Sequence, residues 1–125
     1  MTIGPTHSYP HGKPLMPGDR GGINIGFQAI SELGVAIMDF RTDIEFLCDR
    51  PDALCAFAAR IRATIIIAFG RRSYDASTLP LKVSANPQTG MVEIDLPMAT
   101  PMIVANPEMW LALAERIEEE AAKLR

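Results

Sequence analysis

The sequence predicts an α+β domain made of an internally duplicated βββα unit, with up to six mainly antiparallel strands and two helices packed on the sheet about a pseudo-twofold axis. Two similar segments, PDALCAFAARIR and PEMWLALAERIE, begin 56 residues apart at Pro51 and Pro107. Strand-like segments with alternating apolar residues precede each of them. A chain of 125 residues is long enough for one such domain with a hydrophobic core.

The duplication rests on an ungapped match of residues 23–65 with residues 79–121. The matched positions include Gly34 with Gly90 and Pro51 with Pro107, residue types that fix turns and helix starts. The predicted organisation follows from this match. It consists of an extended or flexible N-terminal arm (1–22) and a single globular domain (23–125) whose repeats, 23–70 and 79–125, are joined by a linker, 71–78.

Each repeat begins with three strand-like segments. INIGFQAI, from Ile23, alternates apolar and polar residues, which is typical of a half-buried strand. A turn that ends in Gly34 or Gly90 leads to the second strands, VAIMDF and MVEIDL, because glycine tolerates a positive φ. DIEFLC and PMIVA are the predicted third strands. Whether all strands share one sheet, or each repeat forms its own, is left open.

A helix closes each repeat. Asn106 and Pro107 are a favourable N-cap and first residue for the second helix. The first helix has Arg50 at the capping position, so Asp49 is an alternative cap that would move the helix start by one residue. Both helices carry apolar residues at the spacing of one helix face. These are Leu54, Phe57, Ala58, Ile61, Ile65 and Ala68 in the first helix, and Trp110, Leu113, Ala114, Ile117, Ala121 and Leu124 in the second.

Composition narrows the classes of function. The net charge of -3 lacks the basic surplus of proteins that bind phosphate backbones, so direct nucleic-acid binding is not expected. Cys48 and Cys55 are interpreted as thiols in a reducing compartment. No secretory signal is visible, and the longest apolar run is too short for a membrane span. We therefore expect a cytoplasmic protein with no membrane partner.

The motifs that suggest catalysis or metal binding have simpler interpretations. His7 and His11 lie in a segment whose Pro10 opposes a helix, so their spacing does not predict a metal site. MPGDRGG lacks the glycine and lysine spacing of a phosphate-binding loop and is interpreted as a turn that contains Arg20. None of the five serines stands in a nucleophile elbow. We expect no catalytic residue, metal or cofactor.

The equivalent residues Asp39 and Asp95 could form an acid/base pair only if they faced each other across a twofold axis. Strand alternation places each of them opposite its apolar neighbours, which favours solvent-facing positions instead.

The two repeats differ most at the ends of their helices. The first helix ends in ATIIIAFG, where Ile66, Ile67 and Phe69 widen the apolar surface beyond one face. A helix on a sheet does not need apolar residues around its whole circumference. Three covers are possible: the N-terminal segment, the linker folded back, or another chain. The three side chains are the predicted partner or dimer interface.

Two further groups are candidate contact residues. Arg71, Arg72 and Tyr74 follow the first helix and, with Arg20, could anchor a phosphate-bearing ligand or an acidic partner. The second helix ends in an acidic segment, and its residues Glu115, Glu118 and Glu119 are a possible acidic contact face.

The sequence therefore predicts a small non-catalytic binding protein that self-associates, as a homodimer, or binds another protein through its surface. An inhibitor or accessory factor of a mobile element is one context for such a protein, although no residue specifies it. The alternative is a small-ligand binder, for a phosphate-bearing metabolite or nucleotide, with its site between the repeats or at a dimer seam.

Overall fold

Two 15-residue strands form the middle of an antiparallel sheet of five strands, which two helices cover. The computed structural model describes residues 7–9, 23–75 and 79–125. The sheet order is β1-β2-β3-β5-β4. In chain order the elements are β1 (His7–Tyr9), β2 (Ile23–Ile30), β3 (Val35–Asp49), α1 (Pro51–Phe69), β4 (Lys82–Asn86), β5 (Met91–Ala105) and α2 (Pro107–Ala122). The predicted α+β class is confirmed, and β1 comes from the segment predicted to be an arm.

The predicted division of each repeat into three strands is wrong. VAIMDF and DIEFLC are parts of β3, and MVEIDL and PMIVA are parts of β5. Neither strand is interrupted, because β3 and β5 pair with each other along most of their length. The pairing register shifts between Asp39 and Phe46, and such an irregularity lets long strands bend without ending. All five strands belong to one sheet, so the alternative of two small sheets is also wrong.

The hydrophobic core lies between the helices and one face of the sheet. In β2 every second residue is buried, namely Ile25, Phe27 and Ala29. These side chains form one cluster with buried residues of the two long strands and with the apolar faces of both helices. Trp110 of α2 is fully buried at its centre. Its ring packs edge-on against Phe27 with centroids 4.8 Å apart. The other face of the sheet carries neither helix.

Turns and helix starts follow the predicted chemistry, with one exception. Gly34 and Gly90 adopt φ values of 68° and 71°, in the left-handed region that favours glycine. The Asn106 side chain accepts a hydrogen bond from the Met109 N–H at 2.8 Å and caps α2. The start of α1 is not moved by one residue: it begins at Pro51, and Arg50 provides no side-chain cap.

Candidate functional site

The predicted interface at the end of α1 is only partly open. Ile66 and Phe69 are half-buried and pack against the core. Ile67 is 75% exposed. The start of the linker accounts for part of the cover, because Tyr74 also packs on the core and Arg72 lies 5.9 Å above the Phe69 ring. Of the three predicted interface residues, Ile67 is the one that is largely exposed to solvent.

The sequence-predicted ligand residues of the linker come together in a small cleft. Arg71, Arg72 and Tyr74 line a space of about 150 Å³ with Arg62 and two apolar residues, Ile66 and Leu111. Arg20 lies outside the described residues. Arg62, which sequence reasoning missed, stands in the middle of an apolar helix and gave no local signal. The cleft is basic, with aromatic and apolar walls.

Two of the arginines in this cleft already have carboxylate partners on α2. Arg62 donates to Glu118 at 2.7 Å, and Arg72 donates to Glu108 at 3.2 Å. The hydrogen bond to Glu118 raises the pKa of Arg62 above its ordinary value, although partial burial opposes the shift. An anion in the cleft would compete with these carboxylates. Arg71 is exposed and is the arginine best placed to meet a ligand first.

The predicted acidic face of α2 is partly neutralised by arginines. Glu118 pairs with Arg62, and Glu119 lies 3.5 Å from Arg116. Glu115 is half-buried. This part of α2 therefore presents a mixed surface of ion pairs.

A side chain that the sequence did not single out closes the outer edge of β4. Glu120 is buried, and its carboxylate accepts the Ala85 N–H at 3.0 Å and a hydrogen bond from Lys123 at 2.6 Å. Arg116 donates to the Val83 carbonyl at 3.4 Å. Burial by itself would raise the pKa of Glu120, but Lys123, the Ala85 N–H and Arg116 outweigh it and lower the pKa. Two backbone groups at the outer edge of β4, the Val83 carbonyl and the Ala85 N–H, thus bond to α2.

The largest feature missed from sequence is the helix-free face of the sheet at the β2 end. We call Ile30, Val35, Ile37, Met102 and Val104 the apolar face. Cα pairing places Ile30 beside Val35 and Ile37 beside Val104, and Met102 is in the next row. Gln28, beside Ile37, and Asp39, beside Met102, are polar residues on the same surface. Met102 is 44% exposed and Val104 54%. The sequence did contain a signal for this face: in β5, as in PMIVA, consecutive residues are apolar, so apolar side chains point to both faces of the sheet. That pattern is typical of a strand covered on both faces.

The β4 end of the same helix-free face has different chemistry. We call Lys82, Ser84, Asn86, Glu93 and Asp95 the polar face. Asn86 donates to Glu93 at 3.0 Å. Cys48, beside Glu93, is 4% exposed, and its thiol contacts the Met91 sulfur at 3.7 Å. Phe46, beside Asp95, is half-buried. This end can stay in contact with water at little cost.

Other predicted sites gain no support for chemistry. Asp39 pairs with Met102, whereas Asp95 pairs with Phe46, so the two aspartates lie in separate rows, about 20 Å apart along the strands. His7 lies in β1, and His11 is outside the described residues. Within residues 23–75 and 79–125, no three His, Cys, Asp or Glu side chains are grouped to hold a metal. Neither α1 nor α2 has the length and apolar composition that crossing a membrane requires.

Comparison with protein-family models, curated proteins and solved structures finds no match to the chain.

Proposed function

We propose that the protein is a small non-catalytic binding protein that associates with itself and acts through a protein surface. The observation that carries this proposal is the apolar face. Exposed Met102 and Val104 lie next to half-buried isoleucines and valine, so several apolar side chains are exposed together beside Gln28 and Asp39. Grouped apolar exposure of this kind is typical of interaction sites, whereas single exposed apolar residues are ordinary.

Two surfaces compete for the role of interface. The first is the sequence-predicted end of α1, with Ile66, Ile67 and Phe69, of which Ile67 is the exposed member. The second is the apolar face, where the exposed side chains adjoin one another. The second surface has two adjacent exposed apolar side chains, Met102 and Val104, and the first has one, which favours the second as an interface.

The proposal includes the internal duplication and its pseudo-twofold axis. In support, α1 and α2 begin at Pro51 and Pro107, and the first strand pairing of each repeat, Gly26 with Asp39 and Lys82 with Asp95, has the same register. The β3–β5 register also stays the same when the two strands exchange roles. Arg62 and Glu118, which are 56 residues apart, bond to each other. Such contact between equivalent positions is what a twofold axis between the helices implies.

Sedimentation equilibrium over a wide concentration range tests self-association. We expect a dimer that dissociates on dilution. A wild-type chain that remains a monomer up to the millimolar range would contradict the proposal. Ile67→Glu then separates the two surfaces, because it abolishes the dimer only if the end of α1 is the interface.

The alternative function, binding of a phosphate-bearing metabolite or nucleotide, is favoured by one observation: Arg62, Arg71, Arg72 and Tyr74 line the same cleft. A thermal-shift panel of nucleotides and phosphorylated metabolites tests it. A ligand of this cleft should raise the melting temperature of the wild type and of Arg60→Ala, whose arginine is exposed on α1 away from the cleft, but not of Arg71→Ala. No shift with any compound of the panel would contradict this alternative.

A further inference from the structure

We propose that α2 blocks the outer edge of β4 against the addition of another strand: the side chains of Arg116 and Glu120 occupy backbone groups through which a further strand would join the sheet. We call these two side chains the edge guard. The contact is autoinhibitory, because its release leaves an edge that pairs with β4 of a second copy. It is separate from the proposed self-association, which uses the apolar face or the end of α1.

β4 ends the sheet on one side. It pairs with β5, and among the described residues no strand lies on its outer side. In an antiparallel pair, the backbone groups of successive residues point to alternate sides of the strand. The Val83 carbonyl and the Ala85 N–H both bond to α2, so Val83 and Ala85 are the residues whose backbone groups point outward. An unpaired row of such groups is a template for another chain.

The edge guard fills the centre of this edge. Arg116 donates to the Val83 carbonyl at 3.4 Å, and the Glu120 carboxylate accepts the Ala85 N–H at 3.0 Å. An antiparallel strand added here would form hydrogen-bonded pairs with both residues of β4, and each pair would need one of the occupied groups. Lys123 and Arg116 lie 2.6 Å and 3.5 Å from the carboxylate and hold it in place. Side chains therefore close the edge where a strand would otherwise add.

Packing of α2 on the sheet does not by itself require a carboxylate at position 120. Glu120 is 4% exposed, and burial of a charged group costs free energy that its partners must offset. Thr64, 56 positions earlier on α1, is also buried but donates to the Arg60 carbonyl in its own helix. Arg60, the counterpart of Arg116, is exposed. A helix can thus lie on this sheet without an edge contact, so the contact made by α2 has a separate role.

The edge that the guard covers is self-complementary. With a twofold axis at Ser84, Val83 would lie opposite Ala85 of the partner subunit, in a hydrogen-bonded pair. Ser84 would face its own counterpart in a non-hydrogen-bonded pair, with Cα atoms about 4.5 Å apart. Lys82 would lie opposite Asn86 of the partner subunit, so no like charges meet. A second β4 therefore fits the released edge.

A cysteine at position 84 reports this pairing. The expected Cα separation lies within the range of a disulfide, so Ser84→Cys should cross-link two copies whose β4 edges are paired. The full-length chain carries it in a Cys55→Ser background, which removes the half-buried thiol and leaves Cys48, which is 4% exposed. The same chain with Ser84 retained measures any cross-link that comes from Cys48.

Removal of the edge guard should produce the cross-link. Arg116→Ala combined with Glu120→Ala should form about tenfold more disulfide-linked dimer than the chain with the guard intact, because two backbone groups per copy become free to pair. Arg60→Ala combined with Thr64→Ala is the matched control, since it makes the corresponding changes on α1 and leaves β4 closed. Its yield should stay within about twofold of the chain with the guard intact. Circular dichroism and melting curves show whether each variant is folded.

Hydrogen exchange measured by NMR provides a second test that needs only single substitutions. In Glu120→Ala, the Ala85 amide should exchange about tenfold or more faster relative to the amides of α1, because it has lost its acceptor. Glu120→Gln retains an oxygen that can accept this N–H and should leave the ratio within about twofold.

Three results would overturn the edge guard: equal cross-linking in the double variant and its matched control, an Ala85 amide whose relative exchange is the same in Glu120→Ala, or a chain with the guard intact that cross-links as readily as the double variant. The proposed function is tested separately, because the sedimentation of the wild type decides it whatever the state of the β4 edge.

Discussion

β2 and β4 flank the two long strands and pair with them in the same register, but among the described residues only α2 bonds through side chains to the backbone of the flanking strand beside it. Glu120 and Arg116 of α2 bond to the backbone of Ala85 and Val83. On α1, Thr64 lies 56 positions before Glu120 in the chain. It is also buried, but its hydroxyl donates to the carbonyl of Arg60 in its own helix, at 2.8 Å. Similar helices can thus satisfy buried polar groups either within the helix or at the edge of a sheet.

The same contrast extends to the helix-free face. The half that contains β4 has polar side chains on the helix-free face, and the outer edge of β4 is bonded to α2. The half that contains β2 has apolar side chains outside, and among the described residues no helix side chain bonds to the Phe27 or Ala29 backbone. Unpaired strand edges and exposed apolar faces are the features through which sheets associate. Among the described residues, the β4 edge is therefore bonded to a helix and the β2 edge is not.

The largest loss of stability is expected on substitution of Trp110, which contacts residues of β2, β3 and β5. Trp110 is fully buried, and its indole N–H lies 3.0 Å from the Ala36 carbonyl and 3.1 Å from the Ala105 carbonyl. Trp110→Ala should lower the free energy of unfolding by about 3–5 kcal/mol, through the cavity and the lost hydrogen bonds. Leu54→Ala, in α1, is the matched variant and should cost less, because leucine has no polar group to bond. Urea denaturation measures both; an equal or larger loss in Leu54→Ala would show that Trp110 has no special bridging role.

The next effect concerns the edge of β4. Glu120→Ala should cost about 1–3 kcal/mol, because the partly buried Ala85 N–H loses its acceptor. Thr64→Ala should cost less, about 1 kcal/mol or below, because it removes a bond within one helix. Chemical denaturation of the two variants measures the difference. Equal losses would mean that the edge contact adds nothing beyond an ordinary hydrogen bond.

Glu120 also predicts a pH dependence. Its pKa in the folded protein is lowered, so it stabilises the fold at pH values above the ordinary pKa of glutamate, and this contribution is lost as pH falls through the folded pKa. Between neutral pH and pH 3, the wild type should therefore lose more stability than Glu120→Gln. Denaturation midpoints over this range provide the check, and parallel pH profiles of the two proteins would contradict it.

The smallest effect concerns the helix starts. Asn106→Ala removes the cap of α2 and should cost about 1 kcal/mol. Arg50→Asn offers α1 the side-chain cap that it lacks and should add up to about 1 kcal/mol. Thermal melts of both variants test this; a destabilised Arg50→Asn would mean that the first helix cannot use such a cap.

Much of the fold could be predicted from the sequence because its signals are local. The alternation from Ile23, the turns at Gly34 and Gly90, and the apolar stripes of both helices depend on neighbouring residues and on the period of each element. The break predicted within each long strand was wrong because the continuity of these strands depends on pairing between residues far apart in the chain. No local signal shows that β3 and β5 remain paired through the register shift near Ile44.

The candidate site was predicted less well. Arg71, Arg72 and Tyr74, which the sequence singled out, line one cleft, but the sequence gave no sign that Arg62 would join them. It placed the apolar surplus on α1, where Ile66 and Phe69 pack on the core and Ile67 alone is open. It passed over the apolar face, because whether both faces of a strand are covered depends on layers far away in the chain.

By itself, the sequence determined the element types, the left-handed turns, the helix starts and the residues that face the core, because backbone preference and hydrophobic period act over a few residues. Tertiary structure alone decided that five strands form one sheet, that Glu120 bonds to the edge of β4, and that Val104 is exposed while Cys48 is covered. Those outcomes depend on which distant groups become neighbours. The physical reason is that burial and hydrogen-bond satisfaction belong to the packed molecule and not to any segment of it.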